Sequence, residues 1–187
     1  MSTIKEIIAE ADHRMEQSIH AVERELGHLR AGRASTSLVD YIKVEAYGAE
    51  MPLNQLATLS TPDATTLTIT PFDKSQLNSI DKALRLSELN LTPQNDGTVI
   101  RITIPPPTEE RRKELIKLVH KHGEEGRISI RNVRRDANEH IKKLEKDKAV
   151  GQDEARSALE DMDKHVERHV AKLDNLIKDK EKEILDF

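Results

Sequence analysis

The residues RISIRNVRRDANE, positions 127–139, place four arginines where they could act together. On a helix, Arg127, Arg131 and Arg134 fall at i, i+4 and i+7 with Arg135 beside them, an arc of roughly 100°. Ile130, Val133, Ala137, Ile141 and Leu144 form an apolar stripe next to that arc. One face can therefore dock on other helices while its neighbour turns guanidinium groups outward. A planar guanidinium pairs well with phosphate, which makes a nucleic-acid backbone one partner of the right chemistry. A solvated basic face balanced by nearby acids fits the same spacing equally well.

Other chemistry is thin. His165 and His169 are spaced i, i+4, which could hold a metal. The intervening Glu167 stands at neither position used in zinc-protease helices, and His169 lies near an apolar stripe. A structural role is the simpler expectation, and a metal-dependent hydrolase built on the pair is the enzymatic rival. No phosphate loop, dinucleotide fingerprint or nucleophile elbow is present, and the paired carboxylates are helix surface charge. The absence of cysteine removes disulfides, thiol nucleophiles and thiolate metal sites. Neither catalysis, a metal nor a cofactor is expected. Phe72, Phe187, Tyr41 and Tyr47 are the only aromatic residues, too few for recognition by base stacking. A nucleic-acid partner would have to be read through its phosphates and its shape.

Charge placement supports such a partner locally and not globally. The chain as a whole is at −4, so it is no general polyanion binder. Residues 127–146 carry seven Lys and Arg against three Asp and Glu, a local +4, whereas residues 148–187 carry eight against eleven, a local −3. The N-terminus has helical periodicity and acids in place of a secretory or transit signal, and no apolar run nears the ~20 residues needed to cross a bilayer. A soluble cytoplasmic protein with no membrane partner is expected.

Three long amphipathic segments must position the arginines. Ile4, Ile8, Ala11, Met15, Ile19, Val22, Leu26 and Leu29 alternate by three and four, predicting a helix over 2–30. Along it, His13, His20 and His28 face solvent. A second helix is predicted from Thr108 to about Asp147, with Gly123 and Gly126 standing in its packing stripe. These glycines imply either a bend or a close helix–helix approach. A third, over 153–185, has Ala155, Leu159, Met162, Val166, Val170, Leu173, Ile177 and Ile184 as its stripe, after a turn broken by Gly151.

Between the first two helices the period changes. Ile42, Val44 and Ala46 alternate before a Tyr47-Gly48 turn. A short strand is predicted within 53–60 and a better one over 65–70. Asp73 with Gln76 reads as a capping box before Leu77, Ile80 and Leu84. Asp96-Gly97 turns the chain into an alternating Ile100, Ile102 and Ile104. This is a small α/β module of mostly antiparallel pairing. It is joined to the helices by AGRASTS, with Gly32, Ala34 and Ser35, and by Pro105-Pro106-Pro107. The prediction is an α+β chain: a three-helix bundle of residues 1–30 and 106–187, and an inserted domain of 31–105 with hinges near 31–37 and 104–108. Two short connections allow a knob to swing on a rod. A coiled-coil scaffold or chaperone-like adaptor binding proteins only is the rival, because the same stripes could pair between chains; closure within one chain predicts a monomer.

Three stretches together, HLRAGRAS at 28–35, PPPTEERRKEL at 105–115 and RNVRRDANE at 131–139, resemble the bacterial ribosome recycling factor family, as do the chain length and the EILDF end. The resemblance implies an L-shaped, tRNA-like protein with an antiparallel three-helix bundle and a β/α/β sandwich-like domain. It implies binding to the post-termination ribosome and, with elongation factor G and its GTP hydrolysis, separation of the subunits for a new round of translation. It further implies contacts to large-subunit ribosomal RNA by Arg30, Arg33, Arg131, Arg134 and Arg135, with Arg127 flanking them. Family members commonly have alanine or another good helix former where this chain has Gly123 and Gly126.

Overall fold

The computed structural model describes residues 3–29 and 32–186, which divide into two compact units, 3–29 with 109–186 and 32–108. The first unit holds helices α1 (Ile4–His28), α3 (Glu109–Lys146) and α4 (Gln152–Leu185). The second holds strands β1 (Lys43–Ala46), β2 (Ala49–Pro52), β3 (Ala57–Ser60), β4 (Thr66–Pro71), β5 (Pro93–Asn95) and β6 (Ile100–Thr103), with helix α2 (Leu77–Leu86) between β4 and β5. Among the described residues, no helix is long and apolar enough to cross a membrane.

α1 starts at a capping box. The Thr3 hydroxyl accepts from the Glu6 N–H at 3.3 Å, and the Thr3 N–H donates to Glu6 Oε2 at 2.8 Å. Its buried side chains, Ala11, Met15, Ile19, Val22 and Leu26, face the other two helices, with Val22 against Gly126 of α3. Lower on α1, Ile4, Ile7 and Ile8 pack on a cluster of Ile141, Ala155 and Ala158. The stripes are thus buried within one chain, which removes the basis for pairing them between chains. His13, His20 and His28 are exposed. The turn between α3 and α4 differs from expectation. Lys148 takes the left-handed conformation (φ 56°), while Gly151 has φ −75° and forms the N-cap of α4. The Lys148 and Ala149 N–H groups satisfy the Glu145 and Leu144 carbonyls, so the helix ends before the glycine is reached.

Gly123 and Gly126 are both buried in an uninterrupted 38-residue helix, so of the two readings close approach is the observed one. A Cβ at Gly126 would lie 2.6 Å from Val22 Cγ2 on α1 and 3.2 Å from Leu173 Cδ2 on α4, and one at Gly123 would run into Ile177 Cδ1. The α4 stripe also departs from expectation. Between Met162 and Leu173 the fully buried position is His169, with Val166 and Val170 half-buried beside it. His169 is only 3% exposed, and its Nε2–H donates to Asp12 Oδ1 on α1 at 2.9 Å. Asp12 also accepts from His165 Nδ1 at 2.7 Å and pairs with Arg168. Burial pushes the His169 pKa down more than Asp12 and Glu16 raise it. The histidine pair is therefore a polar tie between α1 and α4. Among the described residues no group of three or more His, Asp or Glu is arranged to hold a metal ion.

In the second unit β1 and β2 form a hairpin whose two-residue loop, Tyr47 (φ 53°) and Gly48 (φ 76°), matches the strand twist. The other strands make an antiparallel sheet in the order β3-β4-β6-β5. Leu77, Ile80 and Leu84 of α2 join Leu67, Ile69, Ile100 and Ile102 in its core. Asp73 does not form a capping box. It accepts from the Ser75 N–H at 2.9 Å and opens a 3-10 turn over Lys74–Gln76, while Gln76 bonds to Ser75. At Asp96, bonds from the Val99 and Thr98 N–H groups and from Arg101 lower the pKa to about 2, fixing the β5–β6 turn. The segments entering and leaving this unit run side by side. Ala34 N–H donates to the Ala64 carbonyl at 2.8 Å and Ile104 N–H to the Thr65 carbonyl at 2.7 Å. Gly32, at φ +80°, has room for a Cβ only 3.0 Å from Pro107 Cδ.

Alanine at Gly126 should gain about 1 kcal/mol of helix propensity and lose about 1–3 kcal/mol to overpacking against Val22, which is short and stiff. Gly126→Ala is therefore expected to lower unfolding stability by about 1 kcal/mol. Gly123→Ala meets the flexible end of Ile177 and should stay near wild type. Urea titration of both variants checks this; a stabilised Gly126→Ala would contradict close approach as the role of that glycine.

Candidate nucleic-acid interface

The arginine row lies on α3, whose rotation is set by polar ties on both flanks. Towards α1, Ser129 Oγ lies 2.6 Å from Ser18 Oγ and Asp136 pairs with Arg14 at 3.1 Å. Towards α4, Arg127 pairs with Asp174 at 2.6 Å and Arg134 with Asp163 at 2.7 Å. As numbers rise along α3 they fall along α4, as antiparallel packing requires. The outward arc left between these flanks carries Arg131 and Arg135.

The four arginines of the row therefore occupy different environments. Arg127 is held most closely, bonded to Asp174 and also to Glu124 at 3.4 Å, and the Asp174 bond raises its pKa further above the ordinary value. It serves the α3–α4 seam. Arg134 is about half-exposed and joined to one carboxylate, so its remaining N–H donors face solvent. Arg131 is 62% exposed with a long 3.4 Å contact to Glu124. Arg135 is exposed and has no ion pair among the described residues. Arg131, Arg134 and Arg135 line one shallow depression of about 390 Å³ with Asn138, Glu139 and Lys142. An exposed ion pair contributes only about 0–1 kcal/mol, so exchanging part of it for a phosphate costs little.

Arg33 is exposed on the segment entering the second unit. Arg30 lies outside the described residues, as does Ala31. Sequence reasoning missed Lys142 and Asn138, which share the depression, and the acids Asp163 and Asp174. The signal for those acids was present: they sit three turns apart on one face of α4, opposite two arginines two turns apart on α3.

The ribosome recycling factor family matches residues 22–185. Among curated relatives, the ribosome-recycling factor of Bacillus licheniformis is 52% identical over 186 residues, covering the whole of both chains. That of Bacillus subtilis is 50% identical over 97% of this chain and 98% of its own. A solution structure of a ribosome recycling factor superposes with a TM-score of 0.70 at 41% identity over both full chains. A second is the T. thermophilus factor, described with E. coli elongation factor G on the E. coli post-termination complex. It gives a TM-score of 0.60 at 44% identity, covering 98% of this chain and all of its own. With the family pattern spanning most of its length and relatives half identical from end to end, this chain belongs to the ribosome recycling factor family.

Proposed function

We propose that this protein recycles ribosomes: it binds the post-termination ribosome through large-subunit ribosomal RNA and, with elongation factor G and that partner's GTP hydrolysis, promotes separation of the subunits. The observation that carries the RNA contact is the convergence of Arg131, Arg134 and Arg135 on one depression in a chain of net charge −4. Three forked cations within two helical turns suit phosphates of a folded backbone. The few aromatic residues leave little capacity for reading unstacked bases. Arg30 and Arg33 extend the contact set beyond α3, and Arg127 supports it by holding α3 to α4. The bundle is the anchor.

Motion belongs to the connections. Residues 31–37, with Gly32, Ala34 and Ser35, and residues 104–108, with Pro105, Pro106 and Pro107, act as the hinge through which the inserted unit relays movement of the GTPase into breakage of subunit bridges. Gly32 supports this role, since its left-handed backbone and its close neighbour Pro107 disfavour any larger side chain.

Arg134→Ala should weaken co-sedimentation with large subunits and reduce the slope of log affinity against log salt by about one phosphate contact. Unchanged affinity and slope would remove Arg134 from the interface. For the hinge, a covalent cross-link between bundle and inserted unit should leave ribosome binding intact and abolish splitting by elongation factor G. Full splitting activity in the cross-linked protein would sink the hinge.

A further inference from the structure

Ile128 is the one large apolar side chain that α3 leaves exposed, at 48% of its full accessibility. Its neighbours are not those of a core-facing residue. Seven residues before it stands Lys121, seven after it Arg135, and seven further Lys142, all exposed and without an ion pair among the described residues. Seven residues are nearly two helical turns, so these four side chains lie in one line at intervals of about 10.5 Å. The ties to α1 through Ser129 and Asp136 and to α4 through Arg127 and Arg134 leave this line on the outer crest of α3. Arg131 sits about 60° to one side, between Ile128 and Arg135. The acids near the crest are Glu124, Glu125 and Glu139. Glu124 contacts Arg127 and Arg131, and Glu125 contacts His122.

We infer that Ile128 is an apolar contact point within the RNA-facing surface, seated against ribose and base edges in the shallow groove of a folded RNA while Lys121 and Arg135 meet the phosphates on either side. This rests on the ribosomal RNA reading above and specifies which feature of the RNA the crest takes. A double-stranded RNA has a wide, shallow minor groove that displays ribose and base edges between its phosphates. A branched aliphatic side chain can pack there without leaving a polar group unsatisfied, and the cations at both sides complement the walls. The basic setting favours a polyanion over a protein surface. Helix stability does not explain isoleucine at an open position, because lysine, glutamate and alanine are all better helix formers.

The affinity and the salt slope separate Ile128 from its charged neighbours. Ile128→Ser removes apolar contact and no charge, so binding to large subunits should fall about tenfold with the salt slope unchanged. Arg135→Ala should lower both. Ile128 replaced by p-benzoylphenylalanine and irradiated on the ribosome should cross-link to ribosomal RNA. The inference is overturned if Ile128→Ser binds as wild type, if its salt slope falls with its affinity, or if the cross-link goes to ribosomal protein alone. Salt-independent binding by the wild-type protein would instead overturn the underlying RNA reading. Helical circular dichroism of the serine variant, which alters an exposed side chain, keeps a folding defect distinguishable from lost contact.

Discussion

How α3 is turned about its own axis decides what this bundle can present, and two glycines make that choice. At Gly123 and Gly126 the neighbouring helices approach so closely that Ile177, Leu173 and Val22 occupy the space of a missing side chain. A rotation of one residue would move α3 by about 100° and press Arg127 or Glu124 into that gap. The same contacts that bury the stripe therefore hold the arginines outward. Buried side chains set the rotation, and the ion pairs on either flank hold it in register.

Those ion pairs contribute more to geometry than to stability. Arg127 and Arg134 meet α4 acids at hydrogen-bond distance, but half-exposed pairs of this kind are screened by solvent. Their effect is to restrict long, flexible side chains before any ligand arrives, which lowers the entropy lost on binding. A guanidinium with one edge on a carboxylate still has donors for a phosphate. The acidic α4 behind a basic α3 thus orients the row and also keeps the whole chain from acting as an indiscriminate polyanion binder.

The long elements were legible because three-and-four spacing over 25 or more residues has no competing interpretation, and all three helices lie within a few residues of their expected bounds. Among the short elements, β1, β3, β4 and β6 fall where strands were expected, and β2 and β5 do not. β2 reads AEMP and β5 reads PQN, neither with an alternation to recognise, and each exists because a turn lays it beside a stronger strand. Gly151 looked like the helix breaker, yet the left-handed residue is Lys148, because the helix had already ended. The arginine row itself was visible in the sequence, whereas its division into held and open members depended on Asp163 and Asp174, whose placement follows from antiparallel register. The structural place of His169 beside the stripe was legible, whereas its bond to Asp12 was not, because that contact is a property of two helices together.

Membership in the ribosome recycling factor family, a bundle that turns Arg131 and Arg135 outward, and a shortage of aromatic side chains support the proposal that the α3 row grips an RNA backbone through phosphates. The most direct measurement is the salt dependence of binding to large ribosomal subunits for wild type and for a variant with Arg131, Arg134 and Arg135 all changed to glutamine. Each phosphate contact contributes roughly 0.7–0.9 to the slope of log affinity against log salt, so the account predicts a slope shallower by about two to three with helicity retained. A variant that keeps the wild-type slope would contradict it.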